Sequence, residues 1–385
     1  MKKRDNETSI IRHLFSHPGL TRTEIADQLR FRKNTVGIAC EALIAKKIVK
    51  EDPPHTRRNT RLFLDENTFI SIGVEHRVDS MRIVLMNTTR KVVFSCIEPL
   101  EDTSQKKRVQ RIRDCLHKAV QSGSIPTENI VGVGFSDFIP HDIGTGLKTK
   151  SVWMPEWGDL NIRALLEEDL RFPVTIMRCT DAFSHAESVF GACQAEKAFC
   201  VVQLDQGIGL SVFKNGTYLT GTTDIFGELG HTVYREDGEI CKCGNRGCLE
   251  TFAGVGAIIQ KVEENIGRGL YFSSRDGSGS VTIDDIVRNA HEGNKLARLV
   301  LTDAAKAVGD TIANMINMLG IMRIQLYGEL AKAGDILLLQ VTNSIRKHCI
   351  YPLNQDTQVR ITELDQYASA IGAAYIVLEN YFESM

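Results

Sequence analysis

The sequence predicts an α/β protein in which a small winged helix-turn-helix head is joined to a body of two α/β lobes. Three observations predict it. Charge is unevenly divided: residues 1–64 hold 14 Lys/Arg against 7 Asp/Glu, a net of +7, and the remainder carries −9, giving −2 overall. The basic stretch holds three short amphipathic helical segments. Beyond residue 65, strand-like and helix-like segments alternate twice over. At 385 residues and 43% hydrophobic composition, the chain suits two or three domains with a sizeable core.

The head divides at 1–64. Ile10, Ile11, Leu14 and Phe15 share one helical face, and Pro18-Gly19 breaks the chain after them. Thr21 followed by Glu24 has capping-box spacing, so a second helix runs from there to Leu29 with Ile25, Ala26 and Leu29 inward. A third helix after Phe31 places Val36, Ala39, Leu43 and Ile44 on its buried side. Its start exposes Arg32, Lys33, Asn34 and Thr35. Helix, turn and an exposed polar helix start form the helix-turn-helix order, in which the second helix of the pair enters the major groove. Lys33 and Asn34 suit base edges, whereas Arg32 and Thr35 suit phosphates. Two short strands, Ile48–Lys50 and Arg61–Leu64, flank a turn with Arg57 and Arg58, which reads as a wing reaching phosphates or a narrow minor groove. A basic head on an acidic body points to double-stranded DNA as the head's partner.

The body alternates. Apolar strands are expected at Phe69–Val74, Arg82–Met86, Val92–Ile97 and Ile130–Phe135, with a helix at Gln105–Val120 whose basic start is exposed. Phe199–Leu204 and Ser211–Phe213 open the second half, which continues into several helices. No apolar run reaches membrane-spanning length, and MKKRDNETS lacks the hydrophobic centre of a signal peptide. Ten cysteines without such a signal point to reduced thiols and a cytoplasmic location.

The densest chemistry lies in GELGH-TVYREDGEI-CKCGNRGCLE. His231, Cys241, Cys243 and Cys248 offer one imidazole and three thiolates, the donor set of a closed tetrahedral zinc site. Such a Zn²⁺ leaves no open position for water and is structural. Cysteines one residue apart bridge poorly, which argues against a disulfide.

Gly-Glu-Leu-Gly-His at 227–231 and Cys-Lys-Cys-Gly-Asn-Arg-Gly-Cys-Leu-Glu at 241–250 resemble the signature of the ROK family of repressors, open reading frames and kinases. The resemblance implies an actin-like, two-lobed sugar-kinase fold. Its first lobe would span 65–182, its second lobe 183–365 with the zinc loop, and a last helix near Tyr367–Phe382 would pack back on the first lobe. It further implies a sugar or sugar-derivative site. The positions matching the family's sugar contacts are Thr180-Asp181, Glu228, His231 and Glu250, with Asp137 and Trp153 where the family's turn and an asparagine contact usually stand. Regulators of the family carry an N-terminal winged helix, and its kinases begin directly at the first phosphate loop.

The phosphate loops depart from the kinase pattern. The first reads Val74-Glu75-His76-Arg77-Val78-Asp79, without the expected glycine and threonine. The second, Asp205-Gln206-Gly207-Ile208-Gly209-Leu210-Ser211, keeps only its central Gly-Ile-Gly, and the later Gly-Gly pair reads Gly328-Glu329. Glycines let backbone amides approach phosphates closely, so their loss, with carboxylates at Glu75 and Asp205, opposes ATP binding. The expectation is a sugar-responsive DNA-binding repressor with no catalytic residue, acting as a homodimer or higher assembly on a pseudo-palindromic operator. Two alternatives stay open: a carbohydrate kinase with a DNA-binding head, and a regulator controlled by a protein partner.

Overall fold

The computed structural model describes residues 2–52, 60–100, 104–139, 160–221, 225–273 and 281–385, with side chains from residue 6 onward. Arg57, Arg58 and Trp153 lie outside the described residues.

The head begins with α1 (Lys2–Ser16), β1 (Leu20–Thr21), α2 (Arg22–Leu29) and α3 (Lys33–Ala45). β2 (Val49–Glu51) and β3 (Arg61–Leu64) follow, and the three strands form an antiparallel sheet in the order β1-β3-β2. The capping box forms as the spacing required: the Glu24 amide donates to Thr21 Oγ1 (3.2 Å) and the Thr21 amide to Glu24 Oε2 (2.7 Å). Ile10, Leu14, Ile25, Val36, Leu43 and Leu62 close a core at no more than 1% exposure, large for so short a segment.

The first lobe is a sheet of β4 (Ile70–His76), β5 (Ser80–Asn87), β6 (Val92–Pro99), β7 (Ile130–Asp137) and β8 (Val174–Arg178). Helices α4 (Gln105–Ser122), α5 (Ile162–Leu170) and α6 (Cys179–Val189) connect and follow these strands. Its order is β6-β5-β4-β7-β8, an antiparallel meander continued by two parallel strands. The basic start of α4 is divided rather than uniformly exposed: Lys106 and Lys107 face solvent, but Arg108 is 1% exposed.

The second lobe contains β9 (Ala198–Leu204), β10 (Ile208–Lys214) and β11 (Thr217–Tyr218), then α7 (Glu250–Ala253), α8 (Val255–Gly267), α9 (Ile283–His291) and α10 (Lys295–Leu319). β12 (Arg323–Tyr327), α11 (Asp335–His348), α12 (Leu353–Asp356) and β13 (Gln358–Ile361) complete it. The strand order β11-β10-β9-β12-β13 repeats that of the first lobe position for position, again with three antiparallel strands followed by parallel pairs. α10 and α11 pack one face of this sheet through Val300, Leu301, Ile312, Leu337 and Val341. β10 begins at Ile208 rather than Ser211, so Ile208 and Gly209 of the retained Gly-Ile-Gly lie in the strand and Gly207 in the bend before it.

α13 (Ala368–Ser384) ends the chain and packs on β4, β7 and β5. Glycines in mid-strand make room for it. A Cβ on Gly73 would lie 1.9 Å from the Ala370 carbonyl oxygen, and one on Gly134 would lie 2.2 Å from that of Ala373. Contacts gather the chain into two compact units. One holds the head, the first lobe to His185, and the chain from Gln366; the other holds Ala186–Asp365.

Candidate metal centre and its neighbours

The loop that carries the four donors follows β11 in the chain. His231 ends a short 3-10 turn at Leu229–His231. The Cys241 amide donates to the Asn245 carbonyl (2.7 Å) and the Tyr234 amide to that of Gly247 (2.8 Å). Gly247, at φ +73°, has no room for a side chain, because a Cβ would lie 1.6 Å from the Arg235 carbonyl oxygen. Tyr234 ties the loop to α10 through its hydroxyl on Asp310 (3.2 Å).

This backbone gathers the four predicted donors. The ligating atoms of His231, Cys241, Cys243 and Cys248 all lie within 4.8 Å of one another. Cys241 Sγ stands 3.6 Å from His231 Nδ1, and Cys243 Sγ stands 3.7 Å from Cys248 Sγ. Metal–sulfur bonds of about 2.3 Å give tetrahedral edges of about 3.8 Å, so the donors are already spaced to hold a metal ion. His231 presents Nδ1 to the thiols, and its Nε2 lies 3.9 Å from Glu228 Oε2. Glu250 is 8% exposed on the same side, its carboxylate 3.2 Å from the Cβ position of Gly230. The loop therefore brings Glu228, His231 and Glu250 together within the second unit.

The first unit treats its predicted residues differently. Asp181, in the first turn of α6, accepts from Arg178 through both oxygens, Nε to Oδ2 and Nη2 to Oδ1, each at 2.7 Å. A bidentate guanidinium fixes the carboxylate's charge and plane. Thr180 beside it is buried. Asp137, at the end of β7, is fully enclosed: His76 Nδ1 lies 2.9 Å from its Oδ1, and the Ile139 amide donates to the same oxygen at 3.1 Å. His76 Nε2 accepts from Arg108 Nε at 2.9 Å, which places the ring proton on Nδ1 toward Asp137. Arg108 also donates to the carbonyls of Arg77 and Leu100, so its guanidinium fills the β4–β5 hairpin. Burial in this low-dielectric setting depresses the Arg108 pKa, and Asp137 opposes that shift.

Sequence reasoning missed Arg178 and Arg108. The first had a signal, the i, i+3 spacing to Asp181 across a strand–helix junction. The second had none, because an arginine among lysines at a helix start reads as solvated surface.

In the head, Arg32, Lys33 and Asn34 are exposed as expected, whereas Thr35 is half-buried rather than exposed, because it adjoins the buried Val36. Ile38, four residues beyond Asn34 on α3, is 50% exposed and was not anticipated.

Two α/β sheets of the same strand order, the second followed in the chain by a Cys₃His loop, fit an actin-like sugar-kinase architecture, and comparison with known proteins agrees. Residues 71–380 match the ROK family, and the chain belongs to it. It is 27% identical over 383 residues to the DNA-binding transcriptional dual regulator NagC of Escherichia coli, covering 97% of this chain and 92% of that one. It is 22% identical over 387 residues to the xylose repressor of Caldicellulosiruptor bescii, covering 98% and 96%. A crystal structure of a ROK family transcriptional regulator, a homologue of the E. coli MLC protein, superposes with TM-score 0.81 at 20% identity, covering 97% of this chain and 95% of that one. A ROK family glucokinase from Streptomyces griseus, solved with glucose and AMPPNP, superposes with TM-score 0.71 at 19% identity, covering 98% of that chain but 80% of this one. Among the described residues, no helix is long and apolar enough to cross a membrane.

Proposed function

We propose that the protein is a transcriptional repressor whose grip on an operator is released by a sugar or sugar derivative. Residues 1–64 form its winged helix-turn-helix head, 65–182 with 366–385 its first lobe, and 183–365 its second. The observation that carries the reading is the head: an ordered three-helix unit that exposes Arg32, Lys33 and Asn34 at the start of α3. The names of the full-length relatives, a xylose repressor and NagC among them, support it. Arg57 and Arg58 would add phosphate contacts from the wing. A symmetric homodimer would present two heads to a pseudo-palindromic site. The cytoplasm is the compartment in which such a regulator meets both DNA and metabolite.

The metal is proposed to be Zn²⁺, held by His231, Cys241, Cys243 and Cys248. When bound, it closes the loop as a cross-link. Nδ1 ligation fixes the His231 ring and leaves Nε2 on the side of Glu228 and Glu250, where the three side chains suit paired sugar hydroxyls. Asp181, Asp137 and Trp153 are the first lobe's own candidates for contact with a sugar. Asp181, clamped by Arg178, serves as an oriented acceptor.

Two contacts support a regulator over a kinase. Asp205 Oδ1 accepts from the Glu329 amide (2.7 Å) and Oδ2 from Gln203 Nε2 (2.9 Å), so a carboxylate occupies backbone that resembles the nucleotide turn. Glu75, in the stretch that matches the first phosphate loop, lies within β4 and is held by Arg82 (3.0 Å) and Arg77 (3.3 Å). The Asp205 carboxylate opposes phosphate, and the strand and ion pairs at Glu75 replace the glycine turn that would receive it.

The test is a thermal-shift screen of zinc-loaded protein against sugars, sugar phosphates and ATP, with genomic operator fragments assayed in parallel. Stabilisation by one sugar together with release from DNA supports the reading. Stabilisation and turnover with ATP would replace it with the kinase, and DNA binding without any small-molecule response would leave control to a protein partner.

A further inference from the structure

We infer that Ile38 reads DNA sequence by contacting the C5-methyl group of a thymine in the major groove. The inference rests on the DNA-binding reading of the head and goes one step beyond it.

The buried residues of α3 are Val36, Ala39, Cys40 and Leu43. At about 100° per residue, the opposite side of the helix carries Asn34, Ile38 and Glu41. Ile38 sits near the middle of that face, one turn beyond Asn34, and is half-exposed. Gly37 precedes it with nothing within 4 Å of its Cβ position, so the helix surface here is open and shallow. A β-branched apolar side chain at such a place contributes nothing to the head's core.

The charge around it indicates what covers it. Arg22, Lys46 and Lys50 pair with Glu51, Glu7 and Glu66. Arg30, Arg32 and Lys33, at the turn before α3 and at its start, make no ion pair among the described residues. An apolar group beside uncompensated positive charge is a poor match for an apolar protein face. It matches a polyanion with an apolar feature in its groove, and in B-DNA that feature is the thymine methyl. Asn34, a turn earlier, has the donor and acceptor pair that suits adenine N6 and N7. Glu41, a turn later, disfavours phosphate and confines the footprint to the first two turns of the helix.

The test trims the contact from each side. The full-length, zinc-loaded protein first selects its preferred duplex from a random-sequence pool. Each thymine of that duplex is then replaced singly by uracil, and affinity is measured at fixed salt. The wild type should lose about fourfold at one thymine in each half-site, the worth of one buried methyl. Ile38→Ala should bind more weakly, and its affinity should be indifferent to uracil at that thymine. Ile38→Val should keep part of the sensitivity. Because Ile38 is exposed, the melting temperature of Ile38→Ala should match the wild type. A wild type insensitive to uracil everywhere, or an Ile38→Ala with an unchanged uracil profile, overturns the inference and leaves DNA binding standing. Failure to enrich any duplex in the first step overturns the DNA-binding reading itself.

Discussion

His231 joins two environments through one ring. Nδ1 faces the cysteines, and Nε2 faces Glu228, so a metal held by this cluster would also orient the side of the ring toward Glu228. Cys248 shares the site at 0% exposure, and its amino-acid neighbour Leu249 is equally enclosed. Cys248→Ser should therefore release bound zinc, from one equivalent per chain to well below it by mass spectrometry, and lower the melting temperature by several degrees. Retention of a full equivalent would remove Cys248 from the ligand set. A second residue-scale expectation concerns His185, whose pKa burial lowers from the ordinary 6.5 to about 4. The folded state then refuses a proton that the unfolded chain accepts. Nothing is lost above pH 6.5; below it a penalty grows, saturating near pH 4 at about 3 kcal/mol. Urea titrations between pH 7 and 5 should show His185→Gln losing less stability on acidification than the wild type, and parallel curves would refute the assignment. At this scale the sequence was informative about donors and poor about partners. Cysteine spacing announced the donor cluster, whereas the i, i+3 spacing of Arg178 and Asp181 announced at most a pair and not that Arg178 takes both carboxylate oxygens.

Strands and helices were readable where burial on one side sets a period. β4, β5, β6, β7 and β9 fall on the expected apolar runs, with no end moved by more than two residues. β10 was under-read because Gly209 interrupts its apolar pattern, although its backbone pairs in register from Ile208 to Lys214. The last helix was placed on the first lobe by resemblance alone. A physical signal was present, however, in Gly73 and Gly134, each in mid-strand where glycine otherwise weakens a sheet. Their missing side chains let α13 lie with its backbone against β4 and β7. Gly134→Ala should force α13 outward and cost about 3 kcal/mol or more in urea unfolding, as over-packing of a tight core does. Gly216→Ala, at a hairpin position with open space around it, strains only its own φ of +86° and should cost about 1 kcal/mol. Equal costs would mean that α13 is not held by this close approach.

For the whole molecule, the charge division and the doubled alternation of strands and helices were enough to foresee a basic head and a two-lobed body. Contacts between segments far apart in sequence were not foreseeable, because a single sequence shows which faces are apolar but not what meets them. The junction between head and first lobe is such a case. Arg12 of α1 donates to the carbonyls of Phe382 and Glu383 at the end of α13, each at 2.8 Å, using acceptors that a helix C-terminus leaves free. Phe15 stacks on Phe382 with ring centroids 4.1 Å apart, and Arg90 donates to the Phe15 carbonyl at 3.1 Å while lying over the Phe15 ring. These contacts fix the direction of the head relative to α13 and hence to the sheet beneath it. In a dimer that binds two half-sites, a fixed head direction translates into a fixed half-site spacing. Removing the clasp should then relax spacing before it affects base preference. Arg12→Ala combined with Phe15→Leu keeps the head's own core largely filled but deletes its ties to α13. Operators with one to three base pairs inserted between the half-sites should lose tens-fold in affinity for the wild type and only a few-fold for the double variant, while single-base changes within a half-site penalise both equally. If the two proteins show the same spacing dependence, the head is held by something other than α13, and the hydrogen bonds of Arg12 serve only to cap a helix.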